Sequence, residues 1–146
     1  MQNTHTLFGA ELTILAAADS TSGRYDLIEG AFPPGTRTPL HRHSKYQEQI
    51  YVVSGQFLVR VGERIATLTP GQNIVIPPGV AHAVAAAGKT DARALLIASP
   101  SGFARLVAAA PGMRRIGLES EPLSIELMQR IAAEIGDEMI PDSPAP

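Results

Sequence analysis

Residues 35–55, GTRTPLHRHSKYQEQIYVVSG, decide the fold of this chain. They place His41 and His43 two positions apart, and Glu48 follows after four more residues. In an extended strand the side chains at i and i+2 point to the same face, so both imidazoles can be directed at one point. A turn through residues 44–46 would bring Glu48 beside them, on the same strand or a neighbouring one. The stretch therefore predicts three ligands for one metal ion.

Residues 71–86, GQNIVIPPGVAHAVAA, supply a third imidazole. His82 follows a proline-rich turn there, whereas His5, the fourth histidine of the chain, lies near the N-terminus. Three neutral imidazoles and one carboxylate form a nitrogen and oxygen ligand set that suits a divalent first-row metal. Four protein ligands on an octahedral ion leave two positions for substrate, water or dioxygen, which is typical of a catalytic site.

The spacing of these residues resembles the two motifs of the cupin family. The first motif has a Gly, five residues, His-x-His, three or four residues, a Glu, six residues and a Gly, and the chain matches it with Gly35, His41, His43, Glu48 and Gly55. The second motif is matched with Gly71, Pro77, Gly79 and His82. Ala86 stands where the family has an Asn. That Asn is not a metal ligand in the family, so its loss affects local hydrogen bonding rather than the metal.

The competing interpretation is that these residues are ordinary polar side chains of turns. One histidine alone would favour it, but histidines, glycines and prolines that match together at fixed spacing favour a metal site. The resemblance implies one divalent transition-metal ion, Fe, Mn, Ni, Co, Cu or Zn, and leaves its identity open. The predicted ligands are His41, His43, Glu48 and His82. Glu48 is also the candidate catalytic residue, because a weakly bound carboxylate can accept a proton.

Residues 1–100 read as a run of short strands separated by turn signals, which indicates a sandwich or a barrel. The predicted strands cover residues 6–16, 25–32, 49–53, 57–61, 65–68, 73–76, 81–85 and 93–98, with a hairpin turn at residues 54–55. The resemblance makes this an all-β fold, an antiparallel cupin β-barrel of the jelly-roll type, also called a double-stranded β-helix.

Residues 101–140 predict a helical extension of two α-helices, packed on the barrel or on a dimer partner. The first helix would begin at Ser101 as N-cap and end at residues 111–112, a Pro-Gly pair. The second shows apolar residues four apart, with a cap and a proline at its start and a glycine at its end. Those positions are Leu123, Leu127, Ile131 and Ile135, with Ser120, Pro122 and Gly136. Residues 141–146 are expected to form a flexible tail.

The composition excludes several classes of function. The chain of 146 residues has no cysteine, which rules out disulfides, iron–sulfur clusters and thiol catalysis. Its formal charge of -2 and the lack of a basic run give no reason to expect nucleic acid as a partner. No apolar run approaches the length of a membrane span, and the N-terminus lacks the basic region of a signal peptide, so we expect a cytoplasmic protein that does not bind membranes.

The SPSGF segment at residues 99–103 and the second helix resemble small single-domain bacterial cupins grouped with quercetin dioxygenases. This resemblance implies a metal-dependent dioxygenase that acts on a small aromatic or enolic, flavonol-like substrate. Two alternatives stay open: a metal-dependent isomerase or lyase of a sugar or keto acid, and a cupin that binds a small molecule without turnover.

The remaining expectations concern the substrate pocket and the partner subunit. The pocket is predicted to be lined by Phe32, Ile50, Val52, Phe57 and Phe103. A homodimer is expected from the family. Strands 50–53 and 93–98 are apolar on both faces, so their outer faces need cover from a second subunit or from the C-terminal helices.

Overall fold

The computed structural model describes residues 3–111 and 124–141. The elements in chain order are β1 (Asn3–Leu7), β2 (Ala10–Ala16), α1 (Ala18–Thr21), β3 (Asp26–Phe32), β4 (His41–His43), β5 (Gln47–Ser54), β6 (Gln56–Val61), β7 (Arg64–Leu68), β8 (Asn73–Ile76), β9 (His82–Ala87), β10 (Ala92–Ser99), α2 (Phe103–Ala109), α3 (Ile125–Ile135) and β11 (Asp137–Met139).

Two antiparallel sheets form the body of the protein. The six-stranded sheet has the order β1-β2-β3-β10-β5-β8, and the five-stranded sheet has the order β11-β4-β9-β6-β7. Within the described residues no strand pairing joins one sheet to the other. The predicted all-β jelly-roll fold is therefore confirmed, as two sheets that enclose a core without closing into a fully hydrogen-bonded barrel.

The core lies between the sheets and follows the alternation of the strands. In β3 every second side chain from Asp26 to Phe32 is buried, and β10 buries every second residue in the same way. Phe32 of the six-stranded sheet meets Phe57 of the five-stranded sheet edge to face, with ring centroids 5.1 Å apart. Burial of these apolar faces against each other is the main stabilising contribution to the sandwich.

The start of the chain differs from the prediction of one strand over residues 6–16. It forms a hairpin of β1 and β2, in which Leu7 pairs with Ala10. The two turn residues, Phe8 and Gly9, have φ angles of 51° and 81°. Two consecutive positive φ angles are typical of a tight hairpin turn, but Phe is not a residue that usually marks one. This is why the sequence pattern did not show the break.

The predicted hairpin at residues 54–55 is also wrong. Gly55 does turn the chain sharply, with φ at 72°. However, β5 pairs with β8 and β10 in one sheet, whereas β6 pairs with β7 and β9 in the other. A Cβ atom on Gly55 would lie 2.6 Å from both Ala92 Cα and Asp91 O. Gly55 is thus a corner where the chain passes between sheets, closely packed on the start of β10.

The helix starts were predicted incorrectly. α2 has Gly102 rather than Ser101 as its N-cap, and its N-terminal amides are bound by a residue from β3. Asp26 Oδ2 accepts hydrogen bonds of 2.9 Å from the backbone N–H groups of Gly102 and Ala104. A carboxylate is a strong acceptor for such buried amides, which have no partner within the helix, so Asp26 ties the helix to the sheet.

α3 begins later than predicted, at Ile125, and Ser124 caps it by accepting a hydrogen bond of 3.2 Å from the N–H of Leu127. The predicted start, with Leu123, Ser120 and Pro122, lies outside the described residues, as does most of the predicted tail at residues 142–146. Gly136 ends the helix in a left-handed conformation, as predicted. The strand β11, which follows at once, was not predicted.

The described helices pack at one end of the sandwich. α2 contacts β1, β2 and β3, and α3 contacts α2 and β11. Tyr51, Val53 and Val75, on the outer face of the six-stranded sheet, stay exposed. The expected homodimer stays a prediction, with this face as the surface that a second subunit would cover. None of the helices within residues 3–111 and 124–141 has the length and hydrophobicity of a transmembrane helix.

Candidate metal centre

Four predicted ligands converge in the interior of the sandwich. His41 and His43 lie on β4, His82 begins β9 directly opposite His41, and Glu48 lies on β5 of the other sheet. One ligand atom from each residue can be chosen so that all four lie within 4.8 Å of one another. His43, Glu48 and His82 are buried, and His41 is partly buried. The His-x-His spacing on a strand brings both imidazoles to one side, as the alternation of side chains requires.

Two of the histidines are oriented by the backbone carbonyl that lies two residues earlier in the chain. His41 Nδ1 lies 2.7 Å from Pro39 O, and His82 Nδ1 lies 2.9 Å from Val80 O. A carbonyl oxygen only accepts hydrogen bonds, so each Nδ1 must carry the hydrogen. In the neutral imidazole this leaves Nε2 with a free lone pair, which is the form that binds a metal.

His43 is oriented differently, by a carboxylate from the C-terminal segment. Its Nδ1 donates to Asp137 Oδ1 over 2.7 Å, and the same oxygen accepts a 2.7 Å hydrogen bond from Tyr46 OH. The Tyr46 ring stacks on the His43 ring at a centroid distance of 4.4 Å. Sequence reasoning missed Asp137 and Tyr46. The position of Asp137, 94 residues after His43, carries no spacing signal, and only the pairing of β11 with β4 brings the two together.

The protonation of the cluster follows from its hydrogen bonds. Glu48 Oε2 accepts from His43 Nε2 over 3.0 Å and lies at hydrogen-bonding distance, 3.1 Å, from His82 Nε2. Burial raises the pKa of Glu48, but these two hydrogen bonds outweigh it and hold the pKa well below its usual range. The carboxylate is therefore ionised at any working pH, which favours its role as a ligand over that of a general base.

The pKa values of the histidines on β4 move in opposite directions. Burial lowers the pKa of His43, but the hydrogen bonds to Asp137 and Glu48 outweigh it and raise the pKa to about 9. Burial, together with the neighbouring His82, lowers the pKa of His41 to about 4. Without a metal, the centre thus holds an ionised carboxylate, a protonated His43 and a neutral His41. An ion that binds here takes the place of the proton on His43 Nε2.

The donor set fits a divalent transition metal. Each imidazole has its Nδ1 engaged by an acceptor, and the Nε2 atoms and the carboxylate face a common point. Such outer partners fix the tautomer and orientation of metal-binding histidines. The loss of the family Asn does not disturb this arrangement. Ala86 is buried on the far part of β9, where its backbone N–H donates to Thr36 O over 2.8 Å.

A cavity of about 50 Å³ adjoins the centre. Its walls are mainly apolar and come from the hairpin β1–β2, the inner face of the six-stranded sheet, α2 and β11. His41, His43, Glu48, Asp137 and Thr38 are its polar lining residues. Among the described residues that line it there is no lysine or arginine. The metal-binding face thus opens into a small, mainly apolar space whose described lining has no lysine or arginine.

The structure places the predicted pocket residues in two groups. Phe32 and Phe103 line the cavity. Ile50, Val52 and Phe57 do not line it, because they are fully buried at 0% exposure between the two sheets, where packing leaves no space. The residues that sequence reasoning missed include Phe8 and Met139, which are 44% and 53% exposed at the rim. Nothing in the sequence indicated that the turn at Phe8 or the short strand β11 would lie beside the site.

Comparison with known proteins identifies the family. The family described as "Cupin domain" matches residues 29–98, which contain all four ligands. A curated protein of Methanocaldococcus jannaschii, described as uncharacterized, is 27% identical over 77 residues, which are 53% of this chain and 62% of that protein. The chain thus spans less than two thirds of the length of this curated relative.

Solved structures also match part of the chain. A protein of Thermus thermophilus is 31% identical, with a TM-score of 0.52 over 55% of this chain and 76% of that one. An oxalate oxidase is 25% identical, with a TM-score of 0.56 over 65% of this chain and 53% of that one. Together with the fold and the two motifs, these matches define a small metal-binding β-sandwich protein. The chain belongs to the cupin superfamily.

Proposed function

We propose that the protein is a metal-dependent dioxygenase that acts on a small aromatic or enolic substrate. The observation that supports this most is the mixed histidine and carboxylate centre that faces an apolar cavity. A bound divalent ion would supply Lewis acidity to a hydroxyl of the substrate and a site for dioxygen. His41, His43, Glu48 and His82 would hold the ion, and the resemblance to quercetin-dioxygenase-like cupins agrees with this assignment.

The walls of the cavity favour an apolar substrate over a sugar or a keto acid. Sugar hydroxyls that enter an apolar space lose hydrogen bonds to water, and each unpaired group costs roughly 1–3 kcal/mol. Thr38 is the cavity's polar side chain apart from the ligands and Asp137. A dicarboxylate or a phosphorylated sugar would also find no lysine or arginine among the described lining residues. The likeness to an oxalate oxidase therefore supports oxidative chemistry more than it supports oxalate as substrate.

The size of the cavity limits the substrate. An engineered apolar cavity of about 150 Å³ binds benzene, whereas this cavity measures about 50 Å³. An aromatic ring can bind only if the walls move outward. Phe8 and Met139, exposed at the rim, are the side chains with room to do so. We therefore expect single-ring catechols and enols to be better substrates than flavonols.

Oxygen consumption tests the proposal. The metal-free protein is loaded in turn with Fe, Mn, Ni, Co, Cu or Zn, and an oxygen electrode follows each form with catechols, enols, flavonols, sugars and keto acids. Oxygen uptake that depends on an aromatic or enolic substrate is expected. Conversion of a sugar or keto acid without oxygen uptake would instead establish an isomerase or lyase, and tight binding without turnover would establish a binding protein.

Matched variants link any activity to the centre. His82→Ala is expected to abolish metal binding and turnover, while His5→Ala, which removes the remote histidine, leaves both unchanged. Glu48→Gln separates the two roles of Glu48. If the variant keeps its metal and turns over at the wild-type rate, Glu48 is not the proton acceptor.

A further inference from the structure

We propose that Asp137 is a positioning residue. By orienting His43, it sets the affinity of the centre for a metal ion and the arrangement of the ligands around that ion. The C-terminal segment, residues 125–139, is then a working part of the site, although it lies outside the matched cupin domain at residues 29–98. This inference rests on the proposed metal-dependent function.

The three histidines have unequal partners. His41 and His82 each face a neutral carbonyl two residues earlier in the chain. Among the three, only His43 has a carboxylate at its outer nitrogen Nδ1, and the Asp137 side chain that supplies it is only 6% exposed. A carboxylate that accepts from the outer nitrogen of an imidazole orients the ring and makes the other nitrogen a stronger ligand. His43 should therefore bind the ion more strongly than its two neighbours.

Asp137 is itself held in place. Its Oδ1 accepts from His43 Nδ1 and from Tyr46 OH, both at 2.7 Å. Tyr46 is buried, and its ring stacks on the His43 ring with an angle of 22° between the planes. The imidazole is thus fixed at its edge by the carboxylate and on its face by the phenol ring. Two donors on one oxygen leave the carboxylate little freedom to turn away.

Backbone contacts hold Asp137 in this position. Gly136 O accepts hydrogen bonds from Ser44 N at 2.9 Å and from Ser44 Oγ at 3.1 Å, and the next residue, Asp137, pairs with His43 across β11 and β4. Gly136 has φ at 82°, and a Cβ atom there would collide with Ser44 Oγ and lie 2.8 Å from Lys45 Cγ. The left-handed φ, together with the side chains of Ser44 and Lys45 packed against this position, therefore favours glycine. The outer partner of His43 is preorganised by the end of α3.

The test measures metal affinity and the spectrum of bound cobalt(II). Asp137→Asn keeps the shape and one acceptor oxygen but removes the charge. Glu138→Gln is the matched control, because Glu138 is the next residue and forms an exposed ion pair with Arg42. We expect Asp137→Asn to weaken cobalt(II) binding by about 10–100-fold and to change the intensity of the visible ligand-field bands. Glu138→Gln is expected to bind within about twofold of wild type.

A second variant keeps the test decisive if Asp137→Asn does not fold. Tyr46→Phe retains the carboxylate but removes one of its two donors, so it should weaken cobalt(II) binding less than Asp137→Asn and more than Glu138→Gln. Wild-type affinity and an unchanged spectrum in Asp137→Asn, or in Tyr46→Phe if only that variant folds, would overturn the inference alone. A wild-type protein that binds no divalent ion would overturn both the inference and the proposed function.

Discussion

Metal binding by this protein should release the proton that His43 Nε2 carries near neutral pH. The pKa of His43 is raised to about 9, so this imidazole is protonated in the metal-free protein at neutral pH. Glu48 is already ionised, and His41, with its pKa lowered to about 4, is already neutral, so neither gives up a proton. An ion that binds to His43 Nε2 must displace its proton, and the apparent affinity rises with pH as that proton becomes easier to remove.

The size of this pH dependence follows from the fraction of protein molecules in which the His43 imidazole is neutral. With a pKa of about 9, this fraction rises about 90-fold between about pH 6 and about pH 8. With the ordinary pKa of 6.5 it would rise only about fourfold over the same range. We therefore expect the apparent affinity to increase nearly tenfold per pH unit and to level off above about pH 9.

Isothermal titration calorimetry measures both quantities. Titrations in two buffers of different ionisation enthalpy give the number of protons released per ion, and competition with a chelator of known pH dependence gives the affinity. His5→Ala serves as the control, because it removes a histidine that lies away from the centre. A fourfold or smaller rise in affinity, with no proton released at neutral pH, would refute the assignment of the raised pKa to His43.

Three further predictions concern folding and assembly. Gly55→Ala should lower the free energy of unfolding by more than about 2 kcal/mol, because the added Cβ meets backbone atoms. Gly62→Ala, at a similar φ but in open space, should lower it by only about 1–2 kcal/mol. Urea unfolding measures both values. Asp26→Ala should cost about 2–4 kcal/mol in the same assay, because two buried amides at the start of α2 lose their charged acceptor. Light scattering should give about twice the chain mass of 15.4 kDa. Tyr51→Glu, on the outer face of the six-stranded sheet, should give the monomer mass, whereas Ile65→Glu, on the other sheet, should leave the dimer intact.

The four ligands could be predicted from sequence because their geometry is set by local rules. Two histidines at i and i+2 on a strand must share a side, and a glycine and prolines at fixed distances place the next ligand on an adjacent strand. The positions of the strands could also be predicted by a local rule, because apolar and polar residues alternate along them. A resemblance to the cupin family then supplied the fold, which the two sheets confirm.

The features that were missed depend on contacts between distant parts of the chain. A turn signal at Gly55 shows that the chain bends but not which sheet the next strand joins, so a corner was taken for a hairpin. β11 has three residues, too few for any periodicity to appear. Asp137 and Met139 reach the site only through the pairing of β11 with β4. Apolar side chains also do not reveal whether they fill the core, as Phe57 does, or face a cavity.

The distribution of the ligands between the sheets has a consequence for the stability of the whole fold. The three histidines belong to the five-stranded sheet and Glu48 to the six-stranded sheet. A bound ion would therefore act as a covalent-like cross-link between two layers that otherwise adhere through side-chain packing. At a free-ion concentration of about 100 times the dissociation constant, such linkage adds about 2.7 kcal/mol to the free energy of unfolding. The melting temperature of this protein would then rise with the concentration of free metal ion. A chelator would lower it, because it removes the link between the two sheets.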